Sequence, residues 1–134
     1  MFFKKKENNK NNFLVKVCAL LIHAAKIDEI FTKKEEEIIK KTLIELGLKE
    51  NKIEETINEA RIIEDNSNQI LDFTKEVKNM NQVDKIKIVE TLWRIIYSNK
   101  KADIYETNLM RRLTGLLYID NKIMGDIKEK IKKT

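Results

Sequence analysis

Ala24-Ala25-Lys26-Ile27-Asp28-Glu29-Ile30-Phe31-Thr32-Lys33-Lys34-Glu35 and Ile95-Ile96-Tyr97-Ser98-Asn99-Lys100-Lys101-Ala102-Asp103-Ile104-Tyr105-Glu106 lie about seventy residues apart and share one chemistry. Each joins an apolar helical run to a second helix through a short polar turn. An oxygen-bearing side chain opens the turn (Asp28, Asn99), and a glutamate follows seven residues later (Glu35, Glu106). Such a repeated helix-loop-helix implies two related halves, each contributing one elbow. It also points to a binding scaffold before a catalyst.

The surrounding sequence agrees with an all-α domain. The chain has 134 residues, enough for one domain that buries roughly two thirds of its unfolded surface. It has no proline and only three glycines, so the breakers that strands and hairpins need are scarce. Lys, Glu, Ile and Leu dominate, all compatible with helix. The single cysteine, Cys18, excludes an internal disulfide framework and suits a reducing compartment.

Apolar spacing predicts seven helices in one compact bundle. The first runs from Asn12 to Ile27, after a polar, flexible lead at residues 1–11. The second is capped by Thr32, since Thr32-Lys33-Lys34-Glu35 has the capping-box pattern, and it stops at Gly47. The third covers Glu50–Glu64, with Ile53, Ile57, Ala60 and one of Ile62 or Ile63 inward. Asp65-Asn66-Ser67-Asn68 then forms the midpoint loop, and Ser67 is placed to cap a fourth helix carrying Ile70, Leu71, Phe73 and Val77. The fifth, Val83–Ser98, has the widest apolar stripe (Ile86, Ile88, Val89, Leu92, Trp93, Ile95, Ile96), which predicts a central position. The sixth opens at Asp103 and presents Tyr105, Leu109, Leu113 and Leu116. The last starts at Asp120 or Asn121, with Ile123, Ile127 and Ile131.

Charge excludes less than it first suggests. The net +5 comes from 27 basic residues against 22 acidic ones. The excess sits at the ends, around Lys4–Lys10 and Lys128–Lys133, so no basic groove-binding face is implied and no nucleic-acid partner is expected. No stretch reaches the roughly 20 apolar residues that span a bilayer, and no signal-type core follows the basic start, which predicts an uncleaved, cytoplasmic chain. Phe2, Phe3, Lys4, Lys5 and Lys6 form the one segment suited to resting on an anionic membrane surface.

The side chains that carry chemistry are few. Asp28, Glu35, Asn99 and Glu106 make an oxygen-rich cleft for a weakly bound divalent cation if the elbows adjoin, since calcium takes six to eight oxygens. The same residues have a second role open to them. Glu35 and Glu106 occupy capping-box positions, and Asp28 and Asn99 suit turns just past helix ends. His23 has no companion for zinc, Cys18 no base to activate it, and Trp93 sits in the core stripe. No phosphate loop or catalytic triad appears, so neither an enzyme nor a small-molecule substrate is expected.

At the elbows the chain resembles the TerB-like family, which includes tellurite-resistance TerB proteins and the N-terminal domain of DjlA-type membrane co-chaperones. The family pattern is approximately Ala-x-x-Asp-Gly-x-Phe/Ile-x-x-x-Glu, used twice. Ala25, Asp28, Phe31 and Glu35 match the first copy. Leu92-Trp93-Arg94-Ile95-Ile96-Tyr97, then Glu106, Arg111, Arg112 and Leu113, match the second, and the similarity extends from Phe13 to Met124. The resemblance implies an all-helical, non-enzymatic module of a stress-resistance or envelope-associated system, with protein partners and a divalent ion at its acidic loops. Three departures bear on that ion. Glu29 and Lys100 stand where the family has glycines, and Asn99 replaces the second aspartate, so one loop carboxylate is lost beside a lysine.

Overall fold

The computed structural model describes residues 2–27, 31–67, 70–98 and 104–133, with side chains from residue 12 onward. Seven α-helices are present among them: α1 (Phe2–Ala25), α2 (Lys33–Glu45), α3 (Ile53–Asn66), α4 (Leu71–Lys78), α5 (Gln82–Tyr97), α6 (Ile104–Leu116) and α7 (Asn121–Lys132). A short 3-10 turn, Glu50–Lys52, leads into α3.

The core is built around α1 and α5. In α1, Leu14, Val15, Val17, Cys18, Ala19, Leu20, Leu21, Ile22, Ala24 and Ala25 are all buried. Helices that are apolar all round belong inside. Only Lys16 and His23 interrupt this run, and α2, α3, α4 and α5 enclose it. The central position predicted for the fifth helix is therefore shared. α5 packs on α1, α2 and α7 and buries Ile88, Val89, Leu92, Trp93, Ile95 and Ile96. Trp93 is anchored there: its Nε1–H donates to Met124 Sδ at 3.3 Å, and its ring stacks on Tyr97 at 5.8 Å. Between α2 and α5 the hydroxyls of Thr42 and Thr91 share a buried hydrogen bond of 2.6 Å.

The predicted helix ends hold where their chemistry is local. Thr32 caps α2 through a complete capping box with Glu35. Gly47 ends that helix at φ 103°, with Leu48 N–H donating to Leu43 O and Gly47 N–H to Ile44 O, the paired bonds of a Schellman motif. Asp120 caps α7 by accepting from Lys122 N–H, as its position predicts, and α5 gains a cap that apolar spacing does not mark, Asn81 accepting from Asp84 N–H.

Other expectations need correction. α1 begins at Phe2, ahead of the expected Asn12, because nothing between those residues breaks a helix. The side chains of Phe2, Phe3, Lys4, Lys5 and Lys6, the segment suited to a membrane surface, lie outside the described residues. α3 extends through Asn66, past Asp65 into the expected midpoint loop. Ser67 follows as its C-cap and does not cap α4, which has no side-chain cap. Neither Ile62 (62% exposed) nor Ile63 (37%) faces inward; the next position of the Ile53, Ile57, Ala60 stripe is Glu64, 9% exposed. In α6 the inward face is Glu106, Leu109, Met110 and Leu113, while Tyr105 is exposed. In α7 Met124 joins Ile127 and Ile131 in the core, with Ile123 only partly buried.

Candidate functional site

The flanks of the two elbows meet in a reciprocal way. The start of α2 meets the end of α5, where Lys34 Nζ donates to the Ser98 carbonyl at 3.4 Å. The end of α1 meets the start of α6, where His23, Ile27, Tyr105, Asn108, Leu109 and Arg112 line a hollow of about 410 Å³. Each half thus lays the exit of its first helix against the entry to the other half's second helix. Asp28, Asn99 and the cap position Asp103 lie outside the described residues, so the geometry concerns the elbows' flanks.

The described members of the predicted cleft, Glu35 and Glu106, occupy equivalent first-turn positions and are both buried, at 2% and 7% exposure. Glu35 Oε1 accepts from Thr32 N–H and from Thr32 Oγ1–H, each at 2.8 Å, while Thr32 Oγ1 accepts from Glu35 N–H at 3.1 Å. The capping role expected for Glu35 is thereby present. Glu106 acts on Tyr97: burial of the phenol, then the negative charges of Glu129 and Glu106, push the Tyr97 hydroxyl pKa upward. Carboxylate oxygens are hard donors of the kind magnesium and calcium take. Among the described residues no group of three or more His, Cys, Asp or Glu side chains converges as a metal cage.

A second charged cluster braces the first elbow from outside. Glu64 sits between His23 Nδ1 at 3.3 Å and Lys26 Nζ at 2.7 Å, and Lys26 Nζ also reaches Asp65 Oδ1 at 2.7 Å. The hydrogen bonds that Lys26 donates to Asp65 and Glu64 raise the Lys26 pKa, and the first of these bonds lowers that of Asp65. Arg61 lies 5.1 Å from the centre of the Phe31 ring and 3.8 Å from Glu36. These carboxylates already face cations, so the cluster fastens the α1 and α3 ends together and adds no acidic ligand. Its keystone, Glu64, was missed in the sequence because Ile62 and Ile63 are more apolar. The spacing Ile53, Ile57, Ala60, Glu64 was the signal that pointed to it.

The remaining candidates resolve simply. His23 is a half-exposed helix histidine partnered by Glu64. Cys18 is fully buried, and burial pushes its thiol up to about 12, so it is no nucleophile at neutral pH. Arg94 pairs with Glu90 at 3.5 Å, and Arg112 borders the hollow beside His23. No described helix is long and apolar enough to cross a membrane.

No curated protein and no solved structure matches the chain. The family model described as "Tellurite resistance protein TerB" matches residues 14–129, from the first buried turn of α1 nearly to the end of α7. With that span covering both halves and both elbows, the chain belongs to the TerB family.

Proposed function

We propose that this protein is a non-catalytic interaction module of a bacterial stress-response system of the tellurite-resistance type, or of an envelope-associated one, working in the cytoplasm. In this reading a divalent cation is held weakly between the elbows by Glu35 and Glu106, with Asp28 and Asn99 from the turns. The observation that carries it is the reciprocal meeting of the elbow flanks, with a buried glutamate in the first turn of each following helix. A cation placed between two halves links them, so its binding would stiffen the surface offered to a protein partner. The loss of one loop carboxylate to Asn99, with Lys100 next to it, lowers the negative charge and keeps the site weak.

Calorimetric titration with calcium, magnesium, manganese and zinc tests the reading on the wild type and on Glu35→Gln and Glu106→Gln. The expected result is a weak heat for a hard cation, reduced in both variants, with zinc indifferent to either change. No heat with any ion would reduce the elbows to structural caps. Heat that both variants leave unchanged would move the ion elsewhere.

A further inference from the structure

At the far end of α6 from its elbow, roughly 18 Å along the helix, a separate groove of about 360 Å³ runs against α4. Its walls are Leu71 and Leu116 with the ring of Tyr118, and Lys75 and Lys78 stand along its edge. Leu71 and Tyr118 are exposed, so apolar surface is open to solvent here. Gly115 also lines it, and a Cβ there would meet nothing within 4 Å, so close packing does not require the glycine and the space beside it is open.

The tyrosine is the unusual part. Tyr118 has φ 54°, in the left-handed region that L side chains rarely adopt. It closes α6 with the Schellman bonds Ile119 N–H to Thr114 O and Tyr118 N–H to Gly115 O. Gly47 does the same for α2, at the equivalent place in the first half. One half uses the residue that fits this conformation without strain, and the other holds a large aromatic there. Helix termination alone does not call for that ring. Its position does: it forms the groove wall and lies 4.6 Å from Lys78 Nζ. Among the described residues neither Lys75 nor Lys78 has a carboxylate within ion-pair reach.

We propose that this groove docks an acidic peptide segment of a partner protein, with one aliphatic or aromatic side chain seated between Leu71, Leu116 and Tyr118 and its carboxylates on Lys75 and Lys78. The lysines supply the charge complementarity, and the open groove beside Gly115, about 360 Å³, supplies the seat. This surface is independent of the elbows and of any cation held there.

The test is fluorescence anisotropy on the full chain with a labelled nonapeptide of alternating glutamate and leucine. A Glu/Ser peptide of equal charge and a Lys/Leu peptide are the controls. The Glu/Leu peptide is expected to bind, with affinity falling as salt is raised, and the controls are not. The double variant Lys75→Glu/Lys78→Glu should weaken binding by about tenfold or more through charge reversal. Gly115→Leu, which fills open space on a helix, should do the same without lowering the melting temperature. No binding by the wild type, equal binding of the Glu/Ser peptide, or unchanged affinity in both variants overturns the proposal. So does capture by phosphatidylglycerol vesicles with the same variant sensitivity, which would make the face a membrane contact.

Discussion

Replacing Glu35 in two ways separates its capping role from any role with a cation. Glu35→Ala removes both hydrogen bonds that Oε1 accepts from Thr32 and leaves the Thr32 N–H without its capping partner. Bonds to a charged acceptor contribute about 1.5–3 kcal/mol each in isolation, and capping interactions about 0.5–2 kcal/mol. Because both bonds share one oxygen and one partner residue, they do not add fully, and about 2–3 kcal/mol is the expected loss. For a chain of this size that lowers the melting temperature by roughly 6–15 °C. Glu35→Gln keeps an oxygen acceptor in place and should cost about 1 kcal/mol or less. Thermal unfolding followed by circular dichroism is then repeated with 10 mM calcium, an arbitrary concentration of roughly ten times a millimolar Kd. Such binding adds about 1.4 kcal/mol to the wild type, or roughly 5 °C, and should add nothing to Glu35→Gln. If Glu35→Gln destabilises as much as Glu35→Ala, acceptor geometry is not what the side chain contributes. If the calcium shift survives in Glu35→Gln, the ion is not held by this carboxylate.

Three further outcomes follow from the packing and charges. Trp93→Ala should cost about 3–5 kcal/mol, seen as a lower urea midpoint, because it removes the α5 anchor against Met124 and Tyr97; a midpoint near the wild-type value would show that α7 is not fastened through this side chain. Cys18, buried and with its thiol pushed up to about 12, should stay unreactive to Ellman's reagent in the native state and react only as the chain unfolds; prompt labelling without denaturant would contradict its burial. The Lys26–Asp65 pair sets a pH window. Asp65 has a folded pKa below its ordinary 3.8, so its contribution is present above that value and lost as pH falls through the lowered one. Lys26 has a folded pKa above 10.5, so its contribution is present below that value and lost as pH rises through the raised one. Denaturant titrations of Lys26→Met should show a flatter acid limb below pH about 4 than the wild type, and identical limbs would remove the linkage.

The fold was legible because its signals were local and repeated. Thr32 with Glu35, Gly47 and Asp120 each act within a turn of their own position, so their roles can be read without knowing what they pack against. What failed depended on partners distant in sequence. Glu64 can be buried because His23 and Lys26, on another helix, supply its compensation, and no hydropathy rule sees that. The spacing of Tyr105 with Leu109, Leu113 and Leu116 points it inward, but the inward face of α6 is set by what α6 packs against, and Glu106 takes that place. The start of α1 was set too late because apolar spacing marks where a helix is buried, while the helix itself continues wherever nothing stops it. At the cleft, the spacing of Glu35 and Glu106 and the capping box are local and legible, whereas the meeting of the elbow flanks through Lys34 and Ser98 is a product of the tertiary arrangement.

The two halves are alike where they must be and differ where they face outward. Both put an apolar helix at the centre, and both carry a buried glutamate in the first turn of the helix after the elbow. Both close that helix with the same pair of backbone bonds, around Gly47 in one and Tyr118 in the other. A left-handed tyrosine costs about 1–2 kcal/mol relative to the relaxed backbone, against about 0.5–1 kcal/mol returned by a cation–π contact at an exposed site. Tyr118→Gly removes both terms and also loosens the unfolded chain, which opposes the gain by a similar amount. The melting temperature should therefore move by only a few degrees in either direction, while anisotropy with the Glu/Leu peptide should report loss of the groove wall. A large fall in stability would show that the ring holds α4 to α6 and that its strained backbone is structural; a small one with binding intact would leave the tyrosine without a role in docking.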